Sequence, residues 1–405
     1  MKKIHYREWG IKSPVYWGLL AVLGVIMAAG GLAALYMEHN GHWVTGMNNQ
    51  IVWGVPHVFA IFLIVAASGA LNIAAFSSVF GKKIHKSLGR LSGILAMSLL
   101  VGGLLVLVLD LGQPTRLIVA MTKYNFKSIF AWNIFLYVGF LAIVAVYLYT
   151  MMERKAAKYY PTAGLVAFVW RLILTTGTGS IFGFIVARQG YDAAIMAPMF
   201  IIMSFAYGMA FYLLVLMFTF KMDGRPLGEK LLYRLKNLLG IFAAAVFYFV
   251  LVYHLTNLYG TENHEYEAFI LRDGGIYTTL FWVGWIVLGL LVPMGIVFHP
   301  ALGKTHGGII AASLLVLLGG LVAMYVIVIG GQAFPMAMFP DKVIVASGFY
   351  DGVNGEPLYY APSVWEFLLG IGGVAVALTA TLVGVRLLKL LPVSLEDEIV
   401  DPHHS

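Results

Sequence analysis

Five residues of types common in ligand sites follow one another closely at the end of an apolar run. They are Asp110, Arg116, Asn125, Ser128 and Trp132, within the segment LDLGQPTRLIVAMTKYNFKSIFAWN. A carboxylate at the edge of an apolar run is costly unless it is paired or faces a polar cavity, which makes Asp110 a candidate site residue. The structural alternative is an ion pair between Asp110 and Arg116 that caps the helix and orients the loop.

A histidine in another apolar run is predicted to lie at the same depth as Asp110. His57 follows Pro56 in the segment WGVPHVF, where a proline frees a backbone carbonyl and permits a kink. Because histidine changes charge near neutral pH, His57 with a nearby carboxylate can exchange protons with a bound redox ligand. The structural alternative is a hydrogen bond from His57 to another helix.

Other polar residues within apolar runs have more than one interpretation. His254, near the end of a later run, would complete with His57 the pair of imidazoles that holds a b-type haem. Arg171 either extends to the membrane boundary or lies on a polar path into the protein. Glu366, at the start of the last run, is predicted to cap the N-terminus of that helix.

These residues are set in a strongly apolar chain. Of its 405 residues, 60% are hydrophobic and 11% are charged, whereas soluble domains are about one quarter charged. With about 20 residues per crossing, the sequence predicts an all-α polytopic membrane protein of about ten transmembrane helices in one integral membrane domain, 1–405. The predicted spans are 15–36, 52–80, 91–109, 128–151, 162–186, 193–220, 238–258, 276–298, 308–329 and 365–391.

Charge sets the predicted orientation. The formal net charge is +7, but the basic residues form short clusters between apolar runs, which indicates a lipid bilayer and not nucleic acid as the partner. Most Lys and Arg residues fall on the tails and the even-numbered connections, so the positive-inside rule predicts both termini in the cytoplasm. The expected location is a bacterial cytoplasmic (inner) membrane. His57 and Asp110 then lie near the outer face.

The chain contains no cysteine. This excludes cysteine-ligated iron–sulfur clusters, c-type haem and thiolate metal sites within it, and no metal site is predicted.

The elements LDLGQPTR and YNFKSIFAWN resemble the NrfD/PsrC family, the membrane subunits of polysulfide reductase and related redox complexes. In that family an Asp-Leu-Gly-x-Pro-x-Arg element likewise precedes an Asn-x-x-Ser-x-x-x-Trp helix start. The segments WGVPHVFAIFLIVAASGA, GGQAFPMAMFP and APSVWEFLLGIGGVAV extend the resemblance over nearly the whole chain. They are most similar to the DsrP branch, which belongs to a sulfur-metabolism complex, DsrMKJOP.

The resemblance implies a fold, a ligand and partners. It implies two four-helix bundles, 52–187 and 193–329, flanked by peripheral helices at 15–36 and 365–391. It implies a menaquinone or ubiquinone site in the first bundle near the outer face, where electrons pass between the quinone and a periplasmic iron–sulfur partner. The implied partners are a ferredoxin-like iron–sulfur subunit, a periplasmic multihaem cytochrome c, a b-type membrane cytochrome and a cytoplasmic iron–sulfur subunit.

The resemblance also assigns quinone-binding residues. They are His57, Asp110, Arg116, Asn125, Ser128 and Trp132, with Asn49, Gln189 and Tyr191 as further candidates. His57 or Asp110 would carry protons, and Arg116 would hold the loop or the adjacent cluster-bearing protein. Two other classes of protein share the apolar pattern: a secondary transporter, which would favour broken helices at the membrane midplane, and a membrane anchor that binds no quinone.

Overall fold

The fold is all-α, as predicted. A computed structural model describes residues 5–9, 14–335 and 360–400. Within them, ten helices are long and apolar enough to cross a membrane, which confirms the prediction of ten spans. In chain order, α1 to α10 are Pro14–Asn40, Val55–Ser78, Ile84–Leu109, Ile129–Met152, Arg154–Gly183, Met196–Met222, Glu229–Tyr259, Ile276–Phe298, His306–Ala333 and Val364–Leu387. Most of the long connection predicted between the last two spans, 336–359, lies outside the described residues.

Some helices extend beyond their apolar runs because polar groups complete their ends. α7 begins at Glu229 and not at the predicted residue 238, because the Asp397 carboxylate accepts hydrogen bonds from the backbone N–H groups of Lys230 (3.2 Å) and Leu231 (3.3 Å). α10 begins with a capping box formed by Ser363 and Glu366. The predicted capping role of Glu366 is therefore confirmed.

The helix α2 is the centre of the fold and is buried along its length. It packs against α3 and α6, and also contacts α9 and α10, while α1 packs mainly on α10. The contact between α2 and α6 needs two glycines, because a Cβ atom on Gly208 would overlap the backbone of Gly69 and Ala70. The division into two four-helix bundles, 52–187 and 193–329, stays a prediction.

Described segments near the two ends of the chain meet on one face of the protein. Strand β1 (Tyr6–Arg7) pairs antiparallel with strand β2 (Leu391–Pro392). The guanidinium of Arg225 donates to the carbonyls of Leu391 (2.9 Å), Pro392 (2.8 Å) and Glu8 (2.8 Å). We call this the terminal face and the opposite one, where α1 ends and α2 begins, the site face.

Candidate functional site

His57 and Asp110 lie together at the site face. Nδ1 of His57 is 2.6 Å from Oδ2 of Asp110, in the geometry of an ion pair more than of a well-directed hydrogen bond. Asp110 follows the last residue of α3, where the negative end of the helix dipole disfavours a carboxylate, and the His57 imidazole lies directly beside it. The Asp110 side chain is 0% exposed and that of His57 is 15% exposed. A ligand can therefore touch His57, and Asp110 acts through it.

A cluster of aromatic rings centred on Trp53 lies beside His57. The Trp53 ring is stacked near that of His57, with centroids 6.2 Å apart and planes at 23°. Trp53 also contacts Phe130 and Phe182, each with centroids 5.9 Å away, and Tyr191 at 6.4 Å. These rings provide flat apolar surface beside one titratable imidazole, an arrangement that suits a planar ring with polar substituents.

The position of Trp53 is fixed by Gln332, near the end of α9. Oε1 of Gln332 accepts hydrogen bonds from the N–H groups of Val52 (2.9 Å) and Trp53 (3.0 Å), and its Nε2 donates to the Trp53 carbonyl (3.0 Å) and to the Val328 carbonyl (2.8 Å). The preceding turn, Val326–Gly330, is π-helical, a wider form common at functional sites. The side-chain amide of Gln332 thus makes the backbone hydrogen bonds that a neighbouring β-strand would otherwise make with the extended segment before α2.

A second set of hydrogen bonds joins the same segments. Nε2 of Gln50 donates to the Ala333 carbonyl at 2.9 Å. The Arg188 guanidinium, from the connection between α5 and α6, donates to the carbonyls of Gln332 (2.9 Å) and Gln50 (2.7 Å). Burial lowers the pKa of Arg188, while the nearby Tyr191 acts in the opposite direction. Two connections on the site face and the end of α9 are thereby held around one guanidinium.

The first turn of α2 is held by the start of α10. The hydroxyl of Tyr360 donates to the fully buried Glu366 carboxylate and accepts from the backbone N–H of Val55 at 3.0 Å. The same carboxylate accepts from the N–H of Gly46 at 2.9 Å. Burial and the Glu366 charge both raise the pKa of Tyr360, so its hydroxyl remains a donor. This relay fixes the helix end that carries His57.

Of the three further candidates, the structure places only Tyr191 among the rings. Its hydroxyl donates to the Val328 carbonyl at 2.6 Å, and burial raises its pKa, although Arg188 acts in the opposite direction. Gln189 is half-buried, and its Oε1 has no hydrogen-bond partner among the described residues. Asn49 is exposed next to Gln50.

The motif residues after Asp110 form an exposed connection. Asn125 Oδ1 accepts from the Lys127 N–H (3.0 Å), and its carbonyl accepts from the Ser128 N–H (2.9 Å), which makes the turn before α4. Nε1 of Trp132 donates to the Phe126 carbonyl at 2.9 Å, and the side chain is 48% exposed. Asn125, Ser128 and Trp132 therefore position the start of α4, whose Phe130 contacts Trp53.

The alternative ion pair between Asp110 and Arg116 does not form. The chain turns at Gly112, which has φ +71°, a value that favours glycine. Arg116, in the 3₁₀ turn that follows, is exposed and makes no ion pair within the described part of the chain. The guanidinium of Arg116 is therefore accessible to another protein, and Asp110 pairs with His57 instead.

Several residues of the site were missed by the sequence analysis: Trp53, Gln50, Gln332, Arg188 and Tyr360. Trp53 begins the segment WGVPHVF, Gln50 lies three residues before it, and Gln332 lies in the segment GGQAFPMAMFP, but single glutamines at these positions give no local signal. Their partners are about 280 residues away in sequence. Only the packing of α9 against α2 brings them together.

His254 has a carboxylate partner of its own. Its Nδ1 is 2.7 Å from Oε2 of the fully buried Glu267, whose Oε1 accepts from Nδ2 of Asn257 at 2.8 Å. His57 and His254 thus each pair through Nδ1 with a different carboxylate, Asp110 and Glu267. The haem interpretation of these two histidines stays a prediction.

Arg171 lies in the middle of α5 and does not reach the membrane boundary. It is 0% exposed, with its guanidinium 5.2 Å from the ring centroid of Phe168 and 4.6 Å from that of Phe205. Nη1 donates to the Ser68 carbonyl at 3.4 Å, while Nε and Nη2 have no hydrogen-bond partner among the described residues. The charge is stabilised mainly by the two rings.

Comparisons with known proteins agree with this architecture. The integral membrane subunit of an Hdr-like menaquinol oxidoreductase from Archaeoglobus fulgidus is 29% identical, covering 95% of this chain and 96% of the relative. A selenate reductase subunit from Mesobacillus selenatarsenatis is 23% identical over 93% of this chain and 94% of its own length. The menaquinone reductase integral membrane subunit of Nitratidesulfovibrio vulgaris is 24% identical over 79% and 82%.

The model of the polysulphide reductase family NrfD matches residues 43–336, which include every candidate site residue named from the sequence and eight of the ten spans. Together with the ten-helix fold and the paired His57 and Asp110, this match shows that the chain belongs to the NrfD family of integral membrane proteins.

Proposed function

We propose that this chain is the quinone-interacting membrane subunit of a multisubunit oxidoreductase complex, with the quinone ring beside His57. The observation that carries the proposal is the pairing of a partly exposed imidazole with a buried carboxylate, within a set of aromatic rings. Two relatives that align over most of the chain are named as membrane subunits of a menaquinol oxidoreductase and a menaquinone reductase. Menaquinone or ubiquinone is the proposed substrate.

The residues present fit such a ring. The partly exposed Trp53 supplies apolar surface beside it, and the imidazole supplies one polar contact. Because Nδ1 of His57 faces Asp110, Nε2 is the ring nitrogen left for a ligand. Oxidation of a quinol releases two electrons and two protons. His57 Nε2 accepts one proton from a quinol hydroxyl, and Asp110 stabilises the imidazolium that results. The second hydroxyl releases its proton to solvent at the site face.

The electrons need an acceptor outside this chain, which has no cysteine to hold a cluster. We propose a ferredoxin-like iron–sulfur subunit docked on the site face, with the exposed Arg116 at the contact. If the site face is periplasmic, both chain ends are cytoplasmic, in agreement with the excess of basic residues on the terminal face. A DsrP-like complex would add a periplasmic multihaem cytochrome c, a b-type membrane cytochrome and a cytoplasmic iron–sulfur subunit.

The test is quinone binding and turnover with matched histidine variants. We expect His57→Gln to abolish photolabelling by an azidoquinone and to lower quinol oxidation by the intact complex about 10²-fold or more. His264→Gln changes an exposed histidine on the same face and serves as the control. Normal labelling and turnover in His57→Gln would reject the site. Absence of labelling in the wild-type protein would favour an anchor, and substrate uptake into vesicles without redox partners would favour a transporter.

A further inference from the structure

A large apolar cavity opens on the terminal face, away from the His57 site. Its volume is about 920 Å³, and it lies between α1, α6, α9 and α10. Leu23, Phe218, Leu314, Leu317 and Leu382 are among its lining residues. Leu314 is 47% exposed, which shows that the cavity is open at the side toward the lipid. Acyl chains are the surrounding medium at this depth.

The cavity is confined to one half of the membrane. On α9 its lining runs from His306 to Leu317, which at 1.5 Å per residue is a depth of about 16 Å. Half of a hydrocarbon core of about 30 Å is about 15 Å. A transmembrane helix of a partner protein would need a groove across the full membrane, whereas the chains of one lipid leaflet fit this depth.

The mouth of the cavity is basic. Lys221, Arg225 and His306 line it at the level of the terminal face. Arg225 is already engaged by Asp223, 2.5 Å away, and by the two carbonyls of strand β2. Lys221 and His306 are exposed, and Lys221 makes no ion pair within the described ranges. Basic pockets between helices on this side of a membrane bind anionic headgroups.

From the depth, the volume and the charge of this cavity, we infer that it binds an anionic phospholipid. The acyl chains occupy the apolar part between α6, α9 and α10, and the phosphate is bound by Lys221 and His306. The lipid joins α1 and α10 to α6 and α9 on the terminal face. This site is independent of the quinone proposal, because none of its lining residues belongs to the His57 site.

The experiment is native mass spectrometry of the full-length protein with phosphatidylglycerol and with phosphatidylcholine of the same acyl chains. We expect preferential retention of phosphatidylglycerol by the wild-type protein. Lys221→Glu should lower its retention by about fivefold or more, while Lys155→Glu, an exposed lysine on the same face outside the cavity, should not. Equal retention of the two lipids, or an unchanged preference in Lys221→Glu, would overturn the inference.

A second pair of variants tests the cavity itself. Leu314→Trp fills it, whereas Leu318→Trp places the same ring one turn away on α9, outside the lining. We expect lipid loss only in Leu314→Trp, with both proteins monodisperse in gel filtration. Equal lipid retention in the two variants would contradict the inference, as would crosslinking of a Leu314→Cys variant to a partner protein in the intact complex.

Discussion

Gln332 holds the backbone of Trp53 from both sides, accepting from its N–H and donating to its carbonyl, each at 3.0 Å. Gln332 thus makes with Trp53, far away in sequence, the two hydrogen bonds that a residue of a neighbouring β-strand would make. Because Trp53 is stacked near His57, the end of α9 determines where the proposed quinone ring can lie.

We expect Gln332→Glu to lower quinol-linked turnover and azidoquinone labelling. The substitution keeps the size of the side chain but removes the donor to Trp53 and buries a negative charge, because Gln332 is 1% exposed. Gln113→Glu makes the same change at an exposed position on the same face. Equal turnover in the two variants would show that turnover does not depend on the hydrogen bonds between Gln332 and Trp53.

Asp110→Asn should leave substrate binding largely intact and lower the maximal rate of turnover. The substitution removes the carboxylate that faces Nδ1 of His57, so a positive charge formed on the imidazole when it accepts a proton loses its partner. Glu262→Gln, at an exposed position, is the control. An unchanged rate of quinol oxidation by the intact complex would show that Asp110 takes no part in the mechanism.

Glu366→Gln should lower both thermal stability and turnover. The carboxylate accepts from Tyr360, Ser363 and Gly46 while fully buried, and charged hydrogen bonds of this kind contribute about 1.5–3 kcal/mol each. Because Tyr360 also holds Val55, the start of α2 should loosen. A thermal shift assay on the purified protein, with turnover of the complex, measures both effects. If Glu366→Gln loses stability but keeps full turnover, the hydrogen bonds from Glu366 through Tyr360 to Val55 are not needed for the function of the site.

Glu267→Gln should affect stability alone. It removes the charged partner of His254, at a cost of about 1–3 kcal/mol, but Glu267 contacts no residue of the His57 pair. We expect a lower melting temperature and turnover within about twofold of the wild type, since no interaction with the reacting groups is lost. A drop in turnover as large as that of His57→Gln would assign His254 and Glu267 to the reaction.

Gly208→Val should prevent the close packing of α6 against α2. Its Cβ would overlap the backbone of Gly69 and Ala70, which cannot move within two packed helices. Gly31→Val adds the same side chain to α1 at a position with no atom within 4 Å of the new Cβ. We expect loss of monodisperse protein in gel filtration only for Gly208→Val. If both variants are monodisperse in gel filtration, α6 can move away from α2 without loss of the folded protein.

The sequence predicts the ten helices because each is a continuous apolar run of sufficient length, and this needs no knowledge of packing. It also predicts that His57 and Asp110 share a depth, since the spans that contain them run in opposite directions. It does not predict which partner Asp110 takes: Arg116 is closer in sequence, but the turn at Gly112 directs it away. The start of α7 was misplaced because Asp397, from the far end of the chain, caps it.

The relay from Glu366 through Tyr360 to Val55 has a consequence for biogenesis. The ribosome makes the first turn of α2 early, but the residues that secure this turn belong to the last span and the segment just before it. Until α10 enters the membrane, the backbone N–H of Val55 lacks this acceptor and the helix end beside His57 is incompletely held. A chain arrested before residue 360 would insert most of its helices and still lack a finished site. Completion of synthesis is therefore a structural requirement for the proposed quinone site.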